Sequence, residues 1–239
     1  MASVCRVETP EEFEQRVVRL QAEFAAGDAA TRRRLLQPAH AKERFENYDP
    51  EASSLADTDA RLLIANHEGY AYWGKYESYL HLDPAVQRVI VAVRSGDIEM
   101  LRNTLRADPA AANPRWVAGY HRPTPIPNDS IPLFCVSEGV FRETNTQHNA
   151  YDMTRMLIAA GADMHIEGDI VLESAVSFDV INAVAPCSTA APPSMESMAM
   201  VCRWPMQCIS ASSKSPSFSA DAARSAICAL LPAWVNSKW

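Results

Sequence analysis

Residues 86–113, VQRVIVAVRSGDIEMLRNTLRADPAAAN, constrain the fold more than any other stretch of the chain. Val89, Ala92 and Val93 recur at helical spacing. Ser95-Gly96-Asp97 then breaks the run, and Ile98, Leu101 and Leu105 begin a second helical stripe. Asp97 is placed to cap the second helix by accepting a bond from its free N–H groups, and Gly96 tolerates the positive φ of a tight turn. Two short helices joined this closely must lie antiparallel, and neither can bury its apolar face alone. Such a unit requires stacked neighbours of its own kind.

The pattern recurs downstream. Pro132-Leu133 is followed by Val136-Ser137-Glu138-Gly139, and residues 153–160 (MTRMLIAA) form a second apolar helix closed by Gly161-Ala162-Asp163. A third unit opens at Val171-Leu172 and Ala175-Val176 and continues through Val180, Ile181 and Val184. A small A helix, a Ser-Gly-Asp turn, a B helix and a loop ending in Asn resemble an ankyrin repeat. The Pro-Leu…Gly helix and the Gly-Ala-Asp ending resemble the same family. The resemblance covers residues 83–184, roughly two and a half units. Its first unit lacks the family's Thr-Pro-Leu-His opening and carries Asp108-Pro109 in place of Gly-Ala. The resemblance implies an all-α, ankyrin-type helical solenoid that serves as a protein–protein interaction module, with no catalytic residue, no cofactor and a partner still to be identified. Within it, Val89, Ala92, Leu101, Leu105, Leu133, Met156, Leu157 and Leu172 are expected to be buried.

Residues 1–82 read as a separate helical lobe. Thr9-Pro10-Glu11-Glu12 is a capping box with proline at the first helical position, and Phe13, Val17, Leu20 and Phe24 make one stripe that Gly27 ends. Asp28 can cap a second helix running through Leu36, whose Arg32-Arg33-Arg34 run reads as a solvated face. Loop-like residues follow around Pro38 and Asp49-Pro50. A helix over 57–68 carries Leu62, Leu63 and Ala65 and stops at Gly69, ahead of Tyr70, Tyr72, Trp73, Tyr76 and Tyr79. Residues 55–80 resemble a segment that often precedes the repeats in bacterial ankyrin proteins. The aromatic cluster either plugs the open end of a repeat array, since terminal units need an atypical cap, or forms a ligand pocket.

Two irregularities nominate a binding surface. The connection between Asn113 and Pro132 is longer than ankyrin spacing needs. The resemblance makes it the β-hairpin finger beside the concave surface, which would bind together with the A-helix faces. Trp116, Tyr120, His121 and Arg122 lie there, stiffened by Pro123, Pro125 and Pro127. Aromatic and arginine side chains on a stiff loop lose little entropy on binding and suit a hot spot. The alternative is a loop packed on its own scaffold. Residues 140–149 look inserted between the helices of the second unit, as an exposed loop, and place Phe141 beside the finger residues as a partner-binding candidate.

Catalytic chemistry finds little support. The six histidines are scattered, and the chain lacks a Gly-rich phosphate loop, a G-x-S-x-G elbow and H-E-x-x-H. His165, Glu167 and Asp169 read as turn residues rather than metal ligands, and Cys135 sits on an apolar stripe. The competing class is a small-molecule-binding protein or enzyme with a pocket at residues 70–79 or in the 116–122 loop. A net charge of −7 argues against a non-specific nucleic-acid partner. No run approaches the ~18–20 apolar residues of a membrane span, and the amino-terminus lacks a signal-peptide core. The expectation is a soluble cytoplasmic protein that does not engage membranes. Six cysteines without C-x-x-C spacing fit free thiols in a reducing compartment.

From residue 185 the composition shifts abruptly to Ser, Pro, Met, Cys and Trp, and the third unit stops halfway. Taking each codon's third base with the next codon's first two, permitted synonymous codons yield ALLDRGA directly after Val184, followed by a fourth ankyrin-like unit. Residues 185–239 therefore read as an irregular tail translated out of frame, in which Trp204, Ile209, Phe218 and Trp234 are not expected to join the array.

Overall fold

Local side-chain bonds start the helices where the sequence places them. Helix α1 (Pro10–Ala26) opens on a complete capping box: the Thr9 hydroxyl accepts the Glu12 N–H at 3.2 Å, and the Glu12 carboxylate accepts the Thr9 N–H at 2.9 Å. Phe13, Val17 and Phe24 are buried along its inner face, and Gly27 ends it. Asp28 caps α2 (Ala29–Leu35) by accepting the Thr31 N–H at 2.8 Å. Helices α3 (Asp57–His67) and α4 (Trp73–Leu80) follow. Asp83 caps α5 (Pro84–Ser95), Gly96 turns the chain with φ +73°, and Asp97 caps α6 (Ile98–Ala107) through the Met100 N–H at 2.9 Å. Beyond two short 3₁₀ turns, Pro109–Ala112 and Asn128–Ser130, come α7 (Pro132–Phe141), α8 (Gln147–Ala159) and α9 (Ile170–Ser177).

The computed structural model describes residues 6–36, 54–168, 170–180, 182–183 and 185–186, all within a unit spanning residues 1–194. Among them the fold is all-α: they form nine α-helices and no strand, and none of these helices is long and apolar enough to cross a membrane. The loop around Pro38 and Asp49-Pro50, Asp169, Ile181, Val184 and the tail with Trp204, Ile209, Phe218 and Trp234 lie outside the described residues.

Helix α5 packs on both α6 and α7, α7 packs on both α8 and α9, and α6 meets α8. Val89, Ala92, Leu101, Leu105, Leu133 and Leu157 are buried as the stripes require. Met156 and Leu172 are only partly buried, and Met153 and Val171 occupy the core instead. Helix α8 turns Ala150, Met153 and Leu157 inward as it packs on α6 and α7, which leaves Met156 on its flank.

Residues 140–149 are largely exposed, as the sequence suggests, but the loop is shorter than ten residues. Phe141 still belongs to α7, and 147–149 are already helical. Asn145 is buried and donates to the Val93 carbonyl at 2.7 Å, while Asn149 donates to Gly96 O at 3.2 Å. Further amides tie later turns to one another. Gln147 donates to Asp179 O at 2.8 Å, Asn182 donates to Gln147 O at 2.8 Å, and Asn113 donates to Gly161 O at 2.8 Å.

Helix α7 is the most enclosed element, buried at every residue from 132 to 139. Gly139 lets it come this close to α5. A Cβ there would stand 3.1 Å from both Arg94 Cα and Val93 O, contacts tighter than side chains normally make.

Candidate functional site

The finger candidates begin where the chain returns from α6. Arg115 bonds Asp108 at 2.6 Å and pairs with Asp83 at 3.1 Å, and its carbonyl accepts the Asp83 N–H at 2.8 Å. Val117 N–H donates to His81 O at 2.9 Å, so Leu82 and Trp116 form one isolated antiparallel bridge. The half-buried Trp116 donates from Nε1 to Ser78 O at 3.3 Å, and Tyr120 stacks on His81 with ring centroids 4.1 Å apart. His121 and Arg122 are exposed. The connection is thus laid along the α4–α5 junction, and it lacks the strands of a β-hairpin. Pairing stops after one bridge because the next pair on one side is Pro84 opposite Pro114, neither with an N–H to give, and on the other side Leu80 is already in α4.

Phe141 belongs elsewhere. It is 63% exposed, and its ring stacks on Phe178 at 4.7 Å, with Phe134 edge-on to Phe178 at 6.2 Å. The other end of α7 leads back to Ser130, whose hydroxyl lies 3.5 Å from that of Ser78 beneath Trp116. A ten-residue helix is about 15 Å long. The five candidates therefore fall into two groups: Trp116, Tyr120, His121 and Arg122 near the α4–α5 junction, and Phe141 at the far end of α7.

The aromatic cluster is mostly solid packing. Tyr70, Tyr76 and Tyr79 are fully buried, with centroids 5.0 to 5.7 Å apart, and Trp73 stacks on Phe13 at 4.7 Å. The Tyr79 hydroxyl donates to Arg6 O at 2.7 Å. The Tyr76 hydroxyl donates to Glu8 at 2.7 Å; burial and the Glu68 and Glu8 carboxylates push its pKa far up and keep it a donor. Tyr72 turns outward, 56% exposed, onto an open cleft of about 520 Å³ between the start of α4, loop 125–128, Glu167 and Ile170.

Two buried charge networks escape a reading by sequence pattern. In the first, Arg94 bonds Glu138 at 2.6 Å and Asp129 at 3.3 Å, Lys75 bonds Asp129 at 2.7 Å, and Arg142 bonds Glu138 at 2.6 Å. The Arg94 guanidinium also lies 4.8 Å from the centre of the Tyr70 ring. Burial pushes the Asp129 carboxyl up, but Arg94 and Lys75 outweigh it and hold its pKa below the usual carboxylate value. Burial likewise lowers the Lys75 ammonium, and Asp129 reverses the effect and raises it. In the second network Arg16 joins Glu8 at 2.8 Å and Glu68 at 2.7 Å, with Arg6 at 3.4 Å from Glu68. The available signal is a charge inside an apolar run: Arg94 in VIVAVR and Glu138 in PLFCVSEGVF.

Cys135 is buried, and its thiol donates to Asp129 O at 3.4 Å, as its place on an apolar stripe suggests. Among the described residues no group of three or more His, Cys, Asp and Glu side chains gathers at metal-binding distance. His165 and Glu167 are exposed turn residues. No protein-family profile, curated protein or solved structure matches the chain.

Proposed function

We propose that residues 83–184 form an ankyrin-type solenoid and that the protein is a protein-interaction module. The observation that carries this reading is the register between successive helix pairs. Equivalent turns are joined by side-chain amides, from Asn145 and Asn149 back to Val93 and Gly96, and from Gln147 forward to Asp179. Helix pairs that meet in this way bury a shared core and keep their loops at the surface. The A helices themselves are not available to a partner, since α7 is enclosed from 132 to 139 and α5 keeps few exposed positions. The binding surface is instead the loop edge, with His121 and Arg122 exposed on a base anchored by Trp116 and Tyr120. Phe141, on its stack with Phe178, marks a separate patch. Net charge and the lack of a basic field favour a protein partner over nucleic acid.

The test is to identify partners by crosslinking in cells and then to measure their affinity for single variants. His121→Ala and Arg122→Ala are expected to weaken binding by about tenfold or more with an unchanged melting temperature, as hot-spot residues do. Unaltered affinity in both variants assigns the finger to the scaffold and removes the proposed surface.

A further inference from the structure

The geometry points to a ligand site in the cleft beside Tyr72, fitted to a small organic monocarboxylate with an apolar body. A volume of about 520 Å³ lies in the range of small-molecule sites, roughly 300–1,000 Å³. Its walls divide by chemistry. Tyr72, Pro125 and Ile170 offer an aromatic ring and aliphatic surface, and Tyr72 is largely exposed although every other tyrosine of its cluster is fully buried. Lys75 supplies the charge. Its Nζ lies 5.4 Å from the centre of the Tyr72 ring and 2.7 Å from Asp129, and an ammonium with three donors keeps capacity for a second anion.

The charges behind Lys75 favour an incoming anion. Lys75, Arg94 and Arg142 face Asp129 and Glu138 in one connected network, three cations against two carboxylates. Tyr72 makes no side-chain cap bond to the first turn of α4, so the partial positive charge of that helix end adds to the same field. Glu167 limits the ligand's charge. Its Oε1 accepts the Ile126 N–H at 3.1 Å and fixes a carboxylate on the opposite wall, which a phosphate or dicarboxylate would meet. One carboxylate against Lys75, with an apolar body over Tyr72 and Ile170, avoids that repulsion. Pro125, Ile126, Pro127 and Asn128 come from the same connection as the finger, but the site uses none of Trp116, Tyr120, His121 and Arg122, so it holds or fails independently of the protein-partner reading.

Gly74 makes the site testable without disturbing the charge network. It lines the cleft, and a Cβ built on it meets nothing within 4 Å. Gly74→Leu therefore fills the cleft with a side chain that α4 tolerates, leucine being the better helix former. The experiment titrates the full chain, ¹⁵N-labelled, with 1-naphthylacetate and with decanoate, beside 1-naphthylacetamide and 1-naphthylmethylamine. At least one carboxylate is expected to shift the Gly74, Lys75 and Ile126 amide resonances saturably, with the amide and amine at least tenfold weaker. Gly74→Leu should abolish the shifts while raising or preserving the melting temperature. Lys75→Met should weaken binding by about tenfold or more, the loss for a charged hydrogen bond. The inference is overturned if neither carboxylate gives saturable shifts by 10 mM, if the amine or amide binds equally well, or if the Gly74→Leu protein binds unchanged.

Discussion

The two buried charge networks use the same pairing in different ways. Around Arg16, two carboxylates from distant parts of the chain, Glu8 and Glu68, converge on a guanidinium whose side chain is 18% exposed. Arg6, 56% exposed, stands 4.0 Å from Glu8 and 3.4 Å from Glu68 as a second cation. Around Arg94 the arrangement is drier. Its side chain is 5% exposed, and Asp129 and Glu138 are each 6% exposed. Each network holds further cations, Arg6 in the first and Lys75 and Arg142, 28% and 24% exposed, in the second, but the second keeps its central cation and both carboxylates drier. Desolvation makes a buried charge costly when a partner is removed, so the two differ most in the cost of losing their arginine.

Arg94→Met sets the upper end of that difference. It leaves Glu138 and Asp129 in the interior with only Arg142 and Lys75 to answer them, and should cost about 3–5 kcal/mol in urea unfolding. Adding Glu138→Leu should restore part of the loss, because the orphaned charge goes with it. A double variant no more stable than the single one would show that packing against Tyr70, and not charge, is what Arg94 supplies.

Arg16→Met should cost less, about 1–3 kcal/mol, because Arg6 can swing toward both carboxylates and water reaches the site. Removing Arg6 as well should then cost more than the sum of the single losses. Strict additivity would mean that Arg6 is no reserve.

Acid should weaken the drier network through Asp129. The Asp129 pKa is depressed below 3.8 in the folded protein, so its pairing contributes stability that is fully present above that value. The contribution drains away as pH falls through the folded pKa. Urea melts between pH 6 and 2.5 should lose stability below about pH 4 with a slope of up to ~1.4 kcal/mol per pH unit from this proton. Asp129→Asn should flatten that part of the curve.

The smallest effect belongs to Tyr76→Phe, which removes one bond to Glu8 and leaves Arg16 in place. A loss of about 1 kcal/mol is expected by thermal melting. A loss as large as that of Arg94→Met would contradict the ordering.

The reach of each interaction decides whether the sequence reveals it or hides it. Thr9, Asp28 and Asp97 cap their helices through bonds to the residue three positions on, so a short window is enough to read them. Gly96 is legible for the same reason. Apolar spacing admits either Met153 or Met156 on the inward face of α8, and packing on α6 and α7 decides for Met153. Arg94 and Glu138 are 44 positions apart, and neither residue's neighbours announce the other. Trp116 and Tyr120 are legible as unusual residues on a stiff loop. That they lean on Ser78 and His81 depends on a long-range docking that periodicity does not encode.

The bond from Glu8 N–H to the Gln87 side chain spans 79 positions, and Gln87 also donates to Tyr79, Leu80 and Leu82 carbonyls. During synthesis at ~5–20 residues per second, Glu8 leaves the ribosome roughly 4–16 seconds before its partner does. Residues 6–9 are thus secured only after a segment 79 positions further on has been made. Until α5 has been translated, residues 6–9 are exposed to whatever else in the cell offers a pairing. A nascent chain arrested near residue 80 would carry α1, α3 and α4 with this clasp still open, and protease cleavage around Arg6 should close off sharply once Gln87 has emerged.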